Sequence, residues 1–310
     1  MANTLLSCLE RGGAYSVKIQ MKIALTILSL AAVTLVNASA QVTVEVTMEQ
    51  GEFLPSETLP VAVKITNRSG QPLHLGANPN WLTFDVESTD GLIVVKNGEV
   101  PVPGECDLGS SQVAIKRVNL EKHFGLMRPG RYKVTATVRI PDWAEAISSP
   151  AKDFFVISGA KLWAQDFGVP LGADATNRTP EVRRYTLEKA NYLRKQLRLY
   201  VQVSDPAEAR VFQVVSIGKT VSFSEPEMQL DHSSNLHVLF QSGAALFTYA
   251  VVDPDGTLLK QEIFDIAAKR PRLELKDDGT VVVAGGVRRV KALEMPMVKS
   301  PDQLLPPGQP

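Results

Sequence analysis

The side chains with most capacity for chemistry are the four histidines His74, His123, His232 and His237, the cysteine Cys106, and the aspartates of Asp253-Pro254-Asp255-Gly256 and Asp277-Asp278-Gly279. A cysteine nucleophile needs a base beside it, and His123 is the candidate close to Cys106 in sequence. A small, half-buried structural thiol is the expected reading. His74 and His237 lie inside apolar alternating stretches, which predicts satisfied or edge histidines rather than ligands. Asp231-His232 and His237 are close enough to begin a metal cluster, but the spacing lacks an identifiable third ligand, and no metal site is assigned. The Asp-Gly segments each fall between two apolar runs, where Asp and Gly serve turn conformations better than calcium binding or paired acid catalysis.

The sequence holds no His-Glu-x-x-His helix, phosphate loop, dinucleotide fingerprint or Gly-x-Ser-x-Gly elbow. No catalytic, cofactor-binding or metal residue is therefore assigned, and an enzyme is not expected. Trp81, Trp143 and Trp163 could form a carbohydrate-stacking platform, although tryptophans in a β protein serve more often as core plugs. The basic pairs Arg183-Arg184, Arg194-Lys195 and Arg288-Arg289 read as solvated strand ends. With 33 basic against 33 acidic residues in 310, the chain lacks the cationic excess that gripping a phosphate backbone requires. Nucleic acid is not an expected partner.

The elements that must position these groups are strands. Val42, Val44 and Val46 alternate with Thr43, Glu45 and Thr47, and Val61, Val63 and Ile65 and then Leu82, Phe84 and Val86 repeat the pattern. Period two places one set of side chains on a single sheet face. Turn signals at Asn67-Arg68-Ser69-Gly70, Asp90-Gly91, Asn97-Gly98 and Pro129-Gly130 separate some seven or eight strands over residues 41–158, which predicts an immunoglobulin-like β-sandwich. Residues 126–136, Leu-Met-Arg-Pro-Gly-Arg-Tyr-Lys-Val-Thr-Ala, resemble the tyrosine-corner segment of fibronectin type III and immunoglobulin-like domains. That resemblance implies a structural Tyr132, its hydroxyl bonded to upstream backbone. Residues 53–70 are similar to bacterial adhesion and macroglobulin-type sandwiches, and the order Asn-x-Ser, aromatic strand, Pro-Gly-x-Tyr is similar to a bacterial intracellular proteinase-inhibitor family. The latter implies an exposed inhibitory loop such as residues 98–109.

Residues 159–290 carry an internal repeat. Pro226 to Leu230 with residues 234–238 recurs 45 residues later as Pro271 to Leu275 with residues 279–283. A period near that length built of short strands predicts propeller-like blades, about three of them, in an incomplete β-meander. The turns are similar to sialidase Asp-boxes without their Ser and Trp flanks, so no hydrolase activity is carried over. Tyr185, Lys189 and Leu193 share helical spacing, which leaves a helix within residues 181–200 as an alternative. Residues 291–310 read as a disordered Pro-rich tail.

Met21-Lys22, the charge-free apolar run 23–36 and Ala38-Ser39-Ala40 predict a signal peptide over residues 21–40, with residues 1–20 a mis-assigned start. The run is shorter than the roughly 18–20 residues a bilayer span needs, so no stable span is expected after cleavage. Asn67-Arg68-Ser69 and Asn177-Arg178-Thr179 match the glycosylation triplet. The expectation is an exported periplasmic or extracellular protein of all-β class, with a non-enzymatic binding or scaffold role toward a protein or glycan of the cell envelope. The alternatives are a secreted proteinase inhibitor-like regulator and a glycan-active hydrolase on the second unit.

Overall fold

Val42, Val44 and Val46 are buried while Thr43, Glu45 and Thr47 face outward, and this alternation makes the first strand. The computed structural model describes residues 42–141, 143, 145–170 and 181–289. The expected leader, the tail 291–310 and Asn177 lie outside the described residues. In order, the first half contains β1 (Val42–Thr47), β2 (Glu52–Phe53), β3 (Pro60–Asn67), β4 (Leu73–Leu75), β5 (Leu82–Ser88), β6 (Cys106–Leu108), β7 (Val113–Asn119), β8 (Gly130–Val138), β9 (Ile147–Ser148) and β10 (Lys152–Val156). One sheet runs β1-β3-β7 and a second runs β2-β10-β8-β5, with β9 beside β8 and β4 paired to β6. All these pairings are antiparallel except β2 on β10.

Register places apolar residues opposite one another: Val44 faces Ile65 across β1 and β3, and Val86 faces Val134 across β5 and β8. The inward sets of both sheets, with Val63, Ile65, Phe84, Tyr132, Val134 and Phe154 among them, form one buried cluster. Each fully buried side chain of this size contributes roughly 1.5–3 kcal/mol. Cys8 lies outside the described residues and Cys106 is a free thiol, so the described part is held by non-covalent contacts.

The second half opens with a meander of β11 (Ala160–Gly168), β12 (Val182–Tyr192), β13 (Gln196–Ser204) and β14 (Val211–Thr220). A second meander follows, β15 (Glu227–Leu230), β16 (Leu236–Gln241), β17 (Leu246–Val252) and β18 (Leu258–Asp265). The hairpin β19 (Arg272–Leu275) and β20 (Val281–Ala284) then leads to β21 (Val287–Arg288), which closes the far edge of that sheet beside β18. Tyr185, Leu187, Val201 and Val203 of the first meander meet Leu236, Val238, Phe240 and Val252 of the second in a shared core. The chain is thus all-β, its four small sheets of three to five strands arranged in propeller-like succession.

Residues 181–200 are not helical. Tyr185 and Leu187 point into the core between the meanders, and Leu193 and Arg194 adopt left-handed φ of 50° and 55° in the tight turn joining β12 to β13. The internal repeat corresponds to two hairpins of the same design. Leu230 pairs with Leu236 and Leu275 with Val281. In each, the first connecting N–H bonds the fifth carbonyl: Asp231 to Asn235 at 3.1 Å and Lys276 to Thr280 at 2.9 Å. The fourth residue is left-handed in both, Ser234 at 62° and Gly279 at 77°. The turn after β17 repeats the device, with Asp253 N–H on the Thr257 carbonyl and Gly256 at 85°.

A small joint connects the two halves. Leu54 and Ile157 pack on Ala190, Tyr200 and Val214, Glu57 bridges Val214 through backbone, and the Glu52 carboxylate accepts the Leu193 N–H.

Candidate functional site

His237 is the histidine with the most chemical company. Its Nε2 lies 3.1 Å from Asp231 Oδ2 and its Nδ1 2.6 Å from the Tyr249 hydroxyl. The ring thus bridges the carboxylate and the phenol, its Nε2–H donating to Asp231. Burial works against the Asp231 charge, yet hydrogen bonds from the Asn235 side chain, His237 and two backbone N–H groups prevail and hold its carboxyl below the usual range. Burial, helped by the charges of Glu262 and Asp231, pushes the Tyr249 hydroxyl up to about 12. This chain of three could relay a proton. However, His237 is 6% and Tyr249 5% exposed, and both lie on the sheet face where Leu273 and Val283 of the β19–β20 hairpin pack. Its plain consequence is to fix β16 against β17 and the turn after β15.

The remaining chemistry-capable residues are scattered. His232 is tied to the repeat hairpin, its N–H donating to the Gly279 carbonyl at 3.1 Å. His74 stands exposed on β4 with Nδ1 at 2.6 Å from Asp107 and Nε2 at 3.6 Å from Glu105, and the hydrogen bond to Asp107 raises its pKa. His123 lies in a 3-10 turn, and its Nδ1 finds no hydrogen-bond partner among the described residues. Cys106 pairs across strands with Leu75 and packs on the first core, and no hydrogen bond joins it to His123. Among the described residues, no group of three or more His, Cys, Asp or Glu side chains is placed to hold a metal ion.

The aspartate turns are built from their own carboxylates. Asp253 Oδ1 accepts the N–H groups of Asp255 and Thr257, and Asp278 Oδ1 accepts both N–H and hydroxyl of Thr280. Arg183 pairs with Glu181 and Asp255, Arg184 with Asp166 and Glu208, and Arg289 with Asp265. Asn67 is fully buried, its amide donating to the Gln71 and Leu108 carbonyls at 2.7 and 2.9 Å, so it cannot present itself to a glycosyltransferase in the folded protein. Residues 98–109 are not a free loop, because Val100 and Val102 plug the core and the Val102 carbonyl accepts the Trp81 indole N–H at 3.1 Å.

What the fold does assemble is a cleft of about 590 Å³ at one end of the first unit. Two connections wall it: Gly76, Ala77, Asn78 and Trp81, between β4 and β5, and Arg139, Ile140, Pro141, Trp143, Glu145 and Ala146, between β8 and β9. Trp81 and Ile140, both buried, form the floor, while half-buried Trp143 and the exposed Asn78, Arg139 and Glu145 line the sides. Backbone bonds lock the walls together. The Arg139 N–H donates to the Trp81 carbonyl at 2.7 Å, the Trp81 N–H to Asn78 at 3.0 Å and the Trp143 N–H to Ile140 at 3.2 Å. Gly76 holds φ of 95°, and any Cβ there would run into the Gly104 carbonyl, so only glycine keeps this wall in place. Trp81 and Trp143, widely separated in sequence, therefore share one cavity, whereas Trp163 sits on β11 against the other core. Sequence reasoning named the tryptophans but not Arg139, Glu145 or Asn78, whose only signal was their placement in turns flanking strands.

No family model matches this sequence. No curated protein matches it either. Among solved structures, a match is the sporulation control protein Spo0M from Bacillus subtilis, at 10% identity and a TM-score of 0.30, covering 57% of this chain and 89% of that one. A superposition that loose carries no argument about function.

Proposed function

We propose that this chain is an exported, non-enzymatic binding protein of the bacterial cell envelope that engages its partner through the cleft lined by Asn78, Trp81, Arg139, Trp143 and Glu145. The observation that carries the reading is a contrast. The Asp231–His237–Tyr249 network is buried beneath a hairpin, while the open cavity of the first unit is lined by an aromatic ring and separated polar groups. A binding module needs the second and has no use for the first.

The first unit supports an immunoglobulin-like reading. Its two sheets, β1-β3-β7 against β2-β10-β8-β5, follow the order in which such sandwiches distribute their strands, with β2 switching sheets to pair parallel to the last strand. The Tyr132 hydroxyl donates to the Arg128 carbonyl at 2.7 Å, as a tyrosine corner requires. Residues 21–40 support export, and residues 41–158 and 159–290 then form two domains of the mature protein.

The test is capture from envelope extract on immobilised full chain, beside the double variant Arg139→Ala/Trp143→Ala. A partner that saturates the native chain and is lost by the variant supports the reading. Equal retention by both removes the cleft from the function, and an N-terminus of the mature protein that is not Gln41 removes the leader.

A further inference from the structure

We infer that the ligand of this cleft is an uncharged saccharide, one ring stacked on Trp143 and its hydroxyls held by Arg139, Glu145 and Asn78. The inference rests on the binding reading above and adds the chemical class.

The complement of the walls selects the ligand. Arg139 is a donor only, Glu145 an acceptor only, and Asn78 offers amide donors because its Oδ1 is already occupied by the Asn80 N–H at 2.9 Å. Arg139 and Glu145 are both exposed, and both line this cavity. An uncharged ligand that satisfies a guanidinium, a carboxylate and an amide together must carry groups that both donate and accept in several directions. Hydroxyls do this, and a sugar ring presents a series of them on one rim with an apolar C–H face beneath. An aliphatic or lipid ligand would desolvate three polar groups without pairing them, which opposes binding. A polyanion would meet Glu145, and a polycation Arg139.

The aromatic side is equally specific. Trp81 is 1% exposed and its indole N–H is committed to Val102, so it serves as floor rather than platform. Trp143 packs on the first core by one side and reaches the cavity by another, which holds the ring still for stacking. A volume of about 590 Å³ is within the range of small-ligand sites, about 300–1,000 Å³, and the backbone bonds across Arg139, Trp81 and Asn78 prearrange it.

The experiment titrates the full chain with chitotriose, cellotriose, maltotriose and mannotriose, read by tryptophan fluorescence and by calorimetry. At least one trisaccharide is expected to saturate, with a Kd below about 10 mM. Trp143→Ala should weaken that complex by about tenfold or more, and Arg139→Ala and Glu145→Ala each by about fivefold. Trp143→Phe keeps an aromatic face and should retain most of the affinity, which separates lost stacking from lost folding. Trp163→Phe, in the other half, should change nothing. Absence of saturation by all four sugars overturns the inference, as does saturation that Trp143→Ala leaves unaltered. If envelope extract instead yields a protein partner that depends on Arg139 and Trp143, the saccharide inference falls while the binding reading stands.

Discussion

Glu57 offers the sharpest test of how the two halves are joined. It is 5% exposed, its Oε2 accepts the Leu54 N–H at 2.8 Å, and its Oε1 accepts the Gln50 amide at 3.0 Å. Gln50 in turn accepts from Arg198 of β13 at 3.4 Å, and the Glu57 backbone bridges Val214 of β14. Glu57→Ala deletes both acceptors. The Leu54 N–H stays buried and costs about 1–3 kcal/mol unpaired, whereas Gln50 is half-exposed and recovers water, so the total is about 2–4 kcal/mol. Glu57→Gln keeps one acceptor and should cost about 1–2 kcal/mol.

The pH dependence of the same side chain separates its charge from its packing. Burial raises the carboxyl above its ordinary 4.5, outweighing the hydrogen bonds from Leu54 and Gln50 and the attraction of Arg198. The folded state therefore holds this proton more tightly than the unfolded chain. Its contribution is fully present below 4.5 and declines as pH rises through the raised value, then stays flat. Relative to the native chain, Glu57→Gln should look worst near pH 4 and better at pH 7. Urea unfolding followed by tryptophan fluorescence at several pH values measures this. A deficit that is constant or widens with pH would refute the assignment, as would an alanine variant within about 0.5 kcal/mol of native.

Three further outcomes follow from single contacts. Tyr132→Phe removes only the bond to Arg128 and should cost about 1–2 kcal/mol in denaturant unfolding, while a neutral result would strip the corner of its structural role. His74 should titrate above 6.5 by NMR, with its tie to Asp107 present at low pH and lost as pH rises through that midpoint, and Asp107→Asn should lower the midpoint. His237→Ala strands the Tyr249 hydroxyl and unpins Asp231, so about 2–4 kcal/mol of stability should go while saccharide or partner binding at the distant cleft is retained; loss of binding in a folded variant would contradict the separation of the two regions.

The strands were legible because each half-buried sheet writes its period into the chain: Val61, Val63 and Ile65 face inward where alternation says they must. The 45-residue repeat was legible because both hairpins place a proline and two apolar positions ahead of a turn and a second strand, although their shared left-handed fourth position, Ser234 in one and Gly279 in the other, shows only in the backbone. Helical spacing misled at Tyr185, Lys189 and Leu193, since β12 is covered on both faces and such strands lose their clean alternation. The joint was illegible, as a buried Glu57 looks like any acidic turn residue until β14 is laid beside it. The cleft was half legible. Tryptophans announce themselves, but that Trp81 and Trp143 converge while Trp163 departs depends on the connections β4–β5 and β8–β9 ending at the same pole of the sheets.

That difference also explains where chemistry and location part company. Asp231, His237 and Tyr249 hold one another in a low-dielectric interior, where each hydrogen bond is strong and each missing partner is costly. Such a network suits specifying the registry of β16, β17 and their flanking turns, because any slip of one residue would turn His237 to the opposite face and bury Tyr249 unpaired. Arg139 and Glu145 are arranged the opposite way. Both are exposed, and both line one open cavity. A polar group in the interior must find its partner there, whereas an exposed one on an open cavity wall keeps water as its partner until a ligand replaces it.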